Sequence, residues 1–176
     1  MKIAITGHSR GIGAAITEQL KSHDIIGLSR SNGYNITDVD SIVEAVCECD
    51  VFINNAFFED YQTKLLAAVH KKWQDQDKTI VNIGSIVTAY PRIEQHLDVE
   101  NQPWPYRDYK QGLEQEFRRL AWQKQKCKLV LVNPGATDTD MIRHLDAVKL
   151  DPAEIAKTVD LVLNNPYIKE ITVYAK

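Results

Sequence analysis

Short apolar runs alternate along this chain with stretches whose apolar residues recur three and four apart. The first pattern marks buried strands and the second marks amphipathic helices. Lys2 to Thr6 reads as a buried strand, and Ile12 to Ser22 as a helix with Ala15, Ile16 and Leu20 on one face. Ile25 to Ser29 is a second strand, followed by a polar segment, Arg30 to Tyr34, with no room for a helix. Thr37 and Asp38 offer caps for a helix through Ile42, Val43 and Val46. Val51-Phe52-Ile53 is a strand, Tyr61 to Trp73 a helix striped by Leu65, Leu66 and Val69, and Thr79 to Ile83 a strand. Its near-continuous apolar character is what a sheet covered on both faces requires. Val87 to Pro105 then breaks the pattern, with three prolines, several charges and no period. It reads as a surface excursion of the kind that carries function or moves. Tyr106 to Gln123 is a long helix and Lys128 to Val132 a strand. Asp151-Pro152 starts a helix carrying Ile155, Val159, Val162 and Leu163, and Glu170 to Tyr174 closes as a strand. The alternation predicts an α/β fold with a mostly parallel, doubly wound sheet of Rossmann type and helices on both faces.

The bulk numbers narrow this picture. With 176 residues, one domain spanning 1–176 is expected, large enough to bury a core without disulfide staples. A net charge of −3 gives no reason to expect nucleic acid or an anionic membrane as partner. The three cysteines, Cys47, Cys49 and Cys127, fit free thiols in a reducing cytoplasm. Cys47-Glu48-Cys49 has no second Cys/His pair at ligand spacing, so no metal is expected. No signal-peptide succession precedes the first strand, and no apolar run approaches the roughly 18 residues of a membrane span.

Two motifs carry chemistry. Thr6-Gly7-His8-Ser9-Arg10-Gly11-Ile12-Gly13 sits between the first strand and the first helix. Backbone N–H groups at a helix start have no internal partners, so they and the helix dipole favour a phosphate. Gly7, Gly11 and Gly13 let the backbone approach a pyrophosphate, and Ser9, Arg10 and Ile12 complete the turn. NAD sites place a carboxylate at the end of the second strand; here Leu28-Ser29-Arg30-Ser31 has none. Arg30 can fork onto a 2′-phosphate, Ser31 can donate a further bond, and Arg10 can approach from the opposite side. NADP(H) is therefore preferred, with NAD(H) the alternative. Asn54-Asn55-Ala56 ends a strand at the edge where open parallel sheets bind ligands, so Asn54 is expected to stabilise the loops around the adenine ribose.

The second motif is Tyr106-Arg107-Asp108-Tyr109-Lys110, which sets a phenol and an ammonium one helical turn apart. A phenol is a poor acid–base at neutral pH, and a neighbouring ammonium is expected to lower its pKa. Lys110 supplies that charge and can bond a nicotinamide ribose. Ser85, after the Thr79–Ile83 strand, can hold a substrate oxygen where negative charge builds. Tyr109 and Tyr90 compete with Tyr106, but neither has a lysine four residues on. After the Lys128–Val132 strand, Pro134 and Gly135 turn the chain so that Ala136 and Thr137 backbone groups can meet a carboxamide, with the Thr139 hydroxyl in reach. Ile86, Val87, Trp104 and the Asp138–Leu145 stretch are candidates for the substrate pocket.

In this order, the glycine turn, Asn54-Asn55-Ala56, Ser85, Tyr106/Lys110 and Pro134-Gly135 to Thr139 resemble the short-chain dehydrogenase/reductase family, from Met1 to about Met141. The resemblance implies a sheet of about seven strands, NAD(P)(H)-dependent oxidoreduction of a small-molecule carbonyl or alcohol, and a homodimer or homotetramer. It implies Ser85, Tyr106 and Lys110 as catalytic residues, and Asn35-Ile36 within an adenine-contacting segment whose first Asp is here Asn35. The chain departs from the family in five ways. It is short, and the helix between the second and third strands is missing. Phe57 stands where a glycine usually follows Asn-Asn-Ala, and no Asn lies between Phe57 and Asp77 to act as the family's fourth catalytic residue. Ser85 and Tyr106 stand 21 positions apart, more than in compact members. Two alternatives remain: a non-catalytic NADP(H) sensor or scaffold, and epimerase or dehydratase chemistry on a nucleotide sugar.

Overall fold

The computed structural model describes residues 1–89, 105–144 and 146–175. Tyr90, Trp104, Leu145 and most of the Val87–Pro105 excursion lie outside the described residues. The elements run β1 (Lys2–Thr6), α1 (Gly11–Gln19), β2 (Asp24–Leu28), α2 (Val39–Val46), β3 (Val51–Asn54), α3 (Tyr61–Trp73), β4 (Thr79–Ile83), α4 (Pro105–Ala121), β5 (Lys128–Pro134), α5 (Pro152–Asn164) and β6 (Glu170–Val173). Single 3-10 turns cover Arg30–Asn32 and Ile86–Thr88. Asp38 caps α2 by accepting from the Ser41 N–H, and Asp151 caps α5 by accepting from the Ala153 N–H.

All the strands pair in parallel, in the order β2-β1-β3-β4-β5-β6. This is the doubly wound Rossmann arrangement, 3-2-1-4-5-6, without the strand outside β2 and with one more at the far edge. Among the described residues the sheet therefore has six strands, where the family resemblance implies about seven. The cause is local: the segment from Arg30 to Asp38 is polar and has no apolar run to pair along β2. At the other edge, Asn133 and Pro134 pair with Thr172 and Val173, which carries β5 two residues beyond the expected Val132.

Strand alternation divides the core in two. Ala4, Phe52, Ile80, Leu129 and Leu131 face α2, α3 and α4, where Leu65, Leu66, Val69, Trp73, Leu113 and Phe117 are buried. Ile3, Ile5, Val51, Ile53, Val81, Val130 and Val132 face α1 and α5, against Ile16, Leu20, Ile155, Val159 and Val162. The result is three layers, α/β/α, with the carboxyl ends of β1, β3, β4 and β5 side by side along one edge. Among the described residues, no helix is long and apolar enough to cross a membrane.

Candidate active site

The glycine turn lies between β1 and α1. Arg10 is the N-cap of α1, in extended conformation, and no side chain caps the helix start. The first N–H groups of α1 are thus open to an anion. Gly13 is fixed by contact, because a Cβ there would lie 2.1 Å from the Gly7 carbonyl oxygen. Gly11 has φ +54°, and the Thr139 methyl lies 3.2 Å from the place of its missing Cβ. The loop after β5 therefore closes onto the start of α1. Ser9 and Arg10 are exposed and Ile12 is half-buried against the α1–α5 core.

Asn55, not Asn54, ties the β3 end to this turn. Its Nδ2 donates to the Thr6 carbonyl at 2.9 Å and to the Gly7 carbonyl at 3.4 Å. The Thr6 hydroxyl oxygen accepts from the Asn55 and Ala56 N–H groups. Asn54 is fully buried and points the other way: its Nδ2 donates to the Gln62 carbonyl and to Asn82 Oδ1. It braces the middle of the sheet against α3, where the sequence expectation had it shaping the adenine-ribose loops.

Arg30 and Ser31 lie on the exposed 3-10 turn after β2. Asn32 Oδ1 accepts from the Ser29 N–H, and the Ser29 and Ser31 hydroxyls pair at 2.7 Å. The turn is thus held by its own side chains while the Arg30 side chain stays exposed. Asn35 is exposed, and its Oδ1 accepts from the Thr37 N–H in a local turn; Ile36 is half-buried against the α2–α4 core.

Pro134, the last residue of β5, is buried, and the Gly135 N–H that follows donates to the Val173 carbonyl. Ala136 accepts from the Leu150 N–H, and the buried Thr137 donates its hydroxyl to the Gly135 carbonyl. Of the residues assigned to the substrate pocket, Ile86 and Val87 are buried, whereas Asp138, Asp140 and Met141 are exposed.

Ser85, Tyr106 and Lys110 converge at the carboxyl end of β4. Tyr106 is hydrogen-bonded to the Ser85 side chain. Lys110 is buried, and its Nζ donates to Gln62 Oε1 at 2.8 Å and to the Ile83 carbonyl at 2.9 Å. Phe57 packs edge-on against Tyr106, ring centres 4.7 Å apart, and also lies within 6.3 Å of Tyr109. Lys110 Nζ sits 5.3 Å from the Phe57 ring centre and 5.7 Å from that of Tyr106. Burial pulls Lys110 down from 10.5 to about 7. Burial also raises Tyr106 above its ordinary value, and the Ser85 hydrogen bond only partly offsets this. The phenol is thus moved opposite to the direction expected from its lysine, because burial dominates.

Gln62 is the residue that sequence reasoning passed over. The signal was there: it falls three and four positions before Leu65 and Leu66, on the apolar stripe of α3. A polar side chain in a core stripe must find partners. Among the described residues, no group of three His, Cys, Asp or Glu could hold a metal, and the three cysteines are free.

Solved structures resemble this chain across nearly all of its length. The 3-alpha-hydroxysteroid dehydrogenase from Pseudomonas sp. B-0831, complexed with NADH, matches with a TM-score of 0.79 at 21% identity, over 99% of this chain and 95% of that one. A short chain dehydrogenase from Burkholderia cenocepacia J2315 in complex with NADP matches at 0.75 and 19% identity, over 99% and 90%. The fold is that of the short-chain dehydrogenases. The 3-ketoacyl-(acyl-carrier-protein) reductase from Brucella melitensis, complexed with NADH, shares this short-chain dehydrogenase fold at a TM-score of 0.76 and 16% identity, over 98% and 96%. No protein-family model and no curated protein matches the sequence.

Proposed function

We propose that this chain is an NADP(H)-dependent oxidoreductase, acting on a small-molecule carbonyl or alcohol with Tyr106 as acid/base, within a single nucleotide-binding domain of residues 1–176. The observation that carries the reading is the meeting of Ser85, Tyr106 and Lys110 at the sheet edge that also presents the glycine turn. Solved proteins of the same fold bind NADH or NADP.

The residues present fit the cofactor. The uncapped start of α1 and the close-packed Gly13 make a cradle for the pyrophosphate. Arg30, with Ser31 beside it, supplies donors for a 2′-phosphate, and β2 ends without a carboxylate to hold ribose hydroxyls. The Ala136–Thr139 loop meets the start of α1 and would hold the carboxamide end. Bound there, NADP(H) supplies or accepts a hydride. Ser85 orients the substrate oxygen by hydrogen bonding. Tyr106, a neutral phenol whose pKa burial raises, delivers its proton to that oxygen during carbonyl reduction. Lys110, held by Gln62 and the Ile83 carbonyl, would in its charged form have one further N–H to donate to a ribose hydroxyl.

Tyr106→Phe tests this. The variant should keep its affinity for NADPH and lose roughly 10²–10⁴-fold in turnover of carbonyl substrates. Unchanged turnover rejects Tyr106 as the acid. The second reading, a non-catalytic NADP(H) sensor, is favoured by Phe57, whose ring lies against both Tyr106 and Lys110. Tight NADPH binding by the unmodified protein, with no turnover across a carbonyl panel, selects it.

A further inference from the structure

Lys110 is buried, and among the described residues no carboxylate partners it. Among the described residues, the neighbours of its Nζ are Tyr106, Phe57, Gln62 and the Ile83 carbonyl. A cation in such a place is held by neutral dipoles or not at all. Two oxygens hold it, Gln62 Oε1 and the Ile83 carbonyl. The Gln62 amide is itself fixed at its other end, where Nε2 donates to the Asn54 carbonyl at 2.7 Å and to the Ile83 carbonyl at 2.9 Å. Gln62 is 2% exposed, and its backbone carbonyl accepts from Asn54 Nδ2. Every hydrogen-bonding atom of that side chain is therefore in use, and its orientation is determined: a flipped amide would set an NH2 group against Lys110 and an oxygen against two carbonyls.

We propose that Gln62 is a positioning residue for Lys110, clamping the amine to the ends of β3 and β4 so that Lys110 presents one remaining N–H toward Tyr106 and the ribose. The proposal rests on the oxidoreductase reading above. In that reading α3 carries no Asn for a proton relay, and Gln62 instead fixes the lysine by direct contact. The clamp is an amide, so it contributes no charge of its own. It joins Lys110 to the Asn54 carbonyl, one residue before the Asn55 that grips the glycine turn. The cofactor cradle and the acid–base pair thus share one rigid chain of hydrogen bonds.

The test is a double-mutant cycle read in NADPH affinity as well as in turnover. Gln62→Met keeps the bulk and removes the acceptor. Gln62→Glu keeps an acceptor for Lys110 and gives up the bonds to the two carbonyls. Gln62→Met should weaken NADPH binding and lower kcat at saturation by about tenfold or more, with the carbonyl KM changed less than about threefold. Gln62→Glu, which keeps the lysine contact but leaves the Asn54 and Ile83 carbonyls without a donor, should stay impaired in both. In a Lys110→Met background, adding Gln62→Met should change the NADPH Kd by less than about twofold, because the residue it acts through is already gone. Losses that multiply in the double variant, or a Gln62→Glu protein that binds NADPH and turns over as well as the unmodified one, overturn the clamp. Thermal midpoints of the unmodified protein and the four variants separate loss of fold from loss of position. An unmodified protein that binds NADPH without turnover defeats the catalytic reading while the Kd cycle still decides the clamp. If it binds no NADPH, both fall.

Discussion

At Lys110 the site's chemistry is a contest between solvation and contact. An ammonium that leaves water for this interior loses its hydration and regains two neutral oxygens, so the proton is held less firmly than in the unfolded chain. Between about pH 7, where the folded amine titrates, and 10.5, the ordinary value, the unfolded chain binds the proton and the folded chain does not. Stability contributed by Lys110 therefore rises with pH across that window. Urea midpoints of the unmodified protein and of Lys110→Met, compared at about pH 7 and about pH 9.5, should diverge in favour of the unmodified protein as pH rises. Parallel midpoints would mean that the amine stays hydrated in the folded state. The Tyr106–Lys110 pair itself was legible from its four-residue spacing. Its electrostatics were not, because spacing says nothing of how much water reaches either group, and Phe57, which covers both, is distant in sequence.

At the scale of elements, the periodicities were enough. Tyr61–Trp73 and Thr79–Ile83 fall where the apolar pattern sets them, and the caps at Asp38 and Asp151 are in place. Boundaries moved where pairing across space overruled local pattern. β5 runs on through Pro134 because β6 lies alongside, and α1 stops at Gln19. The missing outer strand was legible only as a missing helix, since the polar stretch after Leu28 looks alike whichever element it replaces. The Asp151 cap gives a clean test of a local signal. Asp151→Ala removes the 2.8 Å bond to the Ala153 N–H and should cost about 1 kcal/mol, read as a lower denaturant midpoint with unchanged m. A neutral result would assign the start of α5 to Pro152 and packing alone.

For the molecule as a whole, the two cores are separated by a sheet whose carboxyl edge presents the glycine turn, Ser85, Tyr106 and Lys110, so in the proposed function ligand binding and folding are linked. A ligand bound only by the folded chain adds about 2.7 kcal/mol of stability at a hundred times its Kd. NADPH should therefore raise the thermal midpoint more than NADH at equal concentration, and Arg30→Ala should remove most of that difference while leaving the NADH shift nearly intact. Equal shifts in the unmodified protein would separate Arg30 from the 2′-phosphate. This edge was legible in the sequence through Gly7–Gly13, Ser85 and Tyr106/Lys110. The tie through Gln62, Asn54 and Asn55 was not, because it joins three segments that no local pattern connects.

The cysteines lend the fold a practical handle. Cys49 and Cys127 are buried, and burial pushes the Cys127 thiol up to about 12, so neither offers a ready thiolate. Cys47 is exposed at the end of α2, by the amino-terminal edge of the sheet, where Lys78 grips its backbone carbonyl. A maleimide dye added to the native protein would thus land at one defined spot, on the side remote from the nucleotide cradle, and could report tumbling or assembly without obstructing the chemistry.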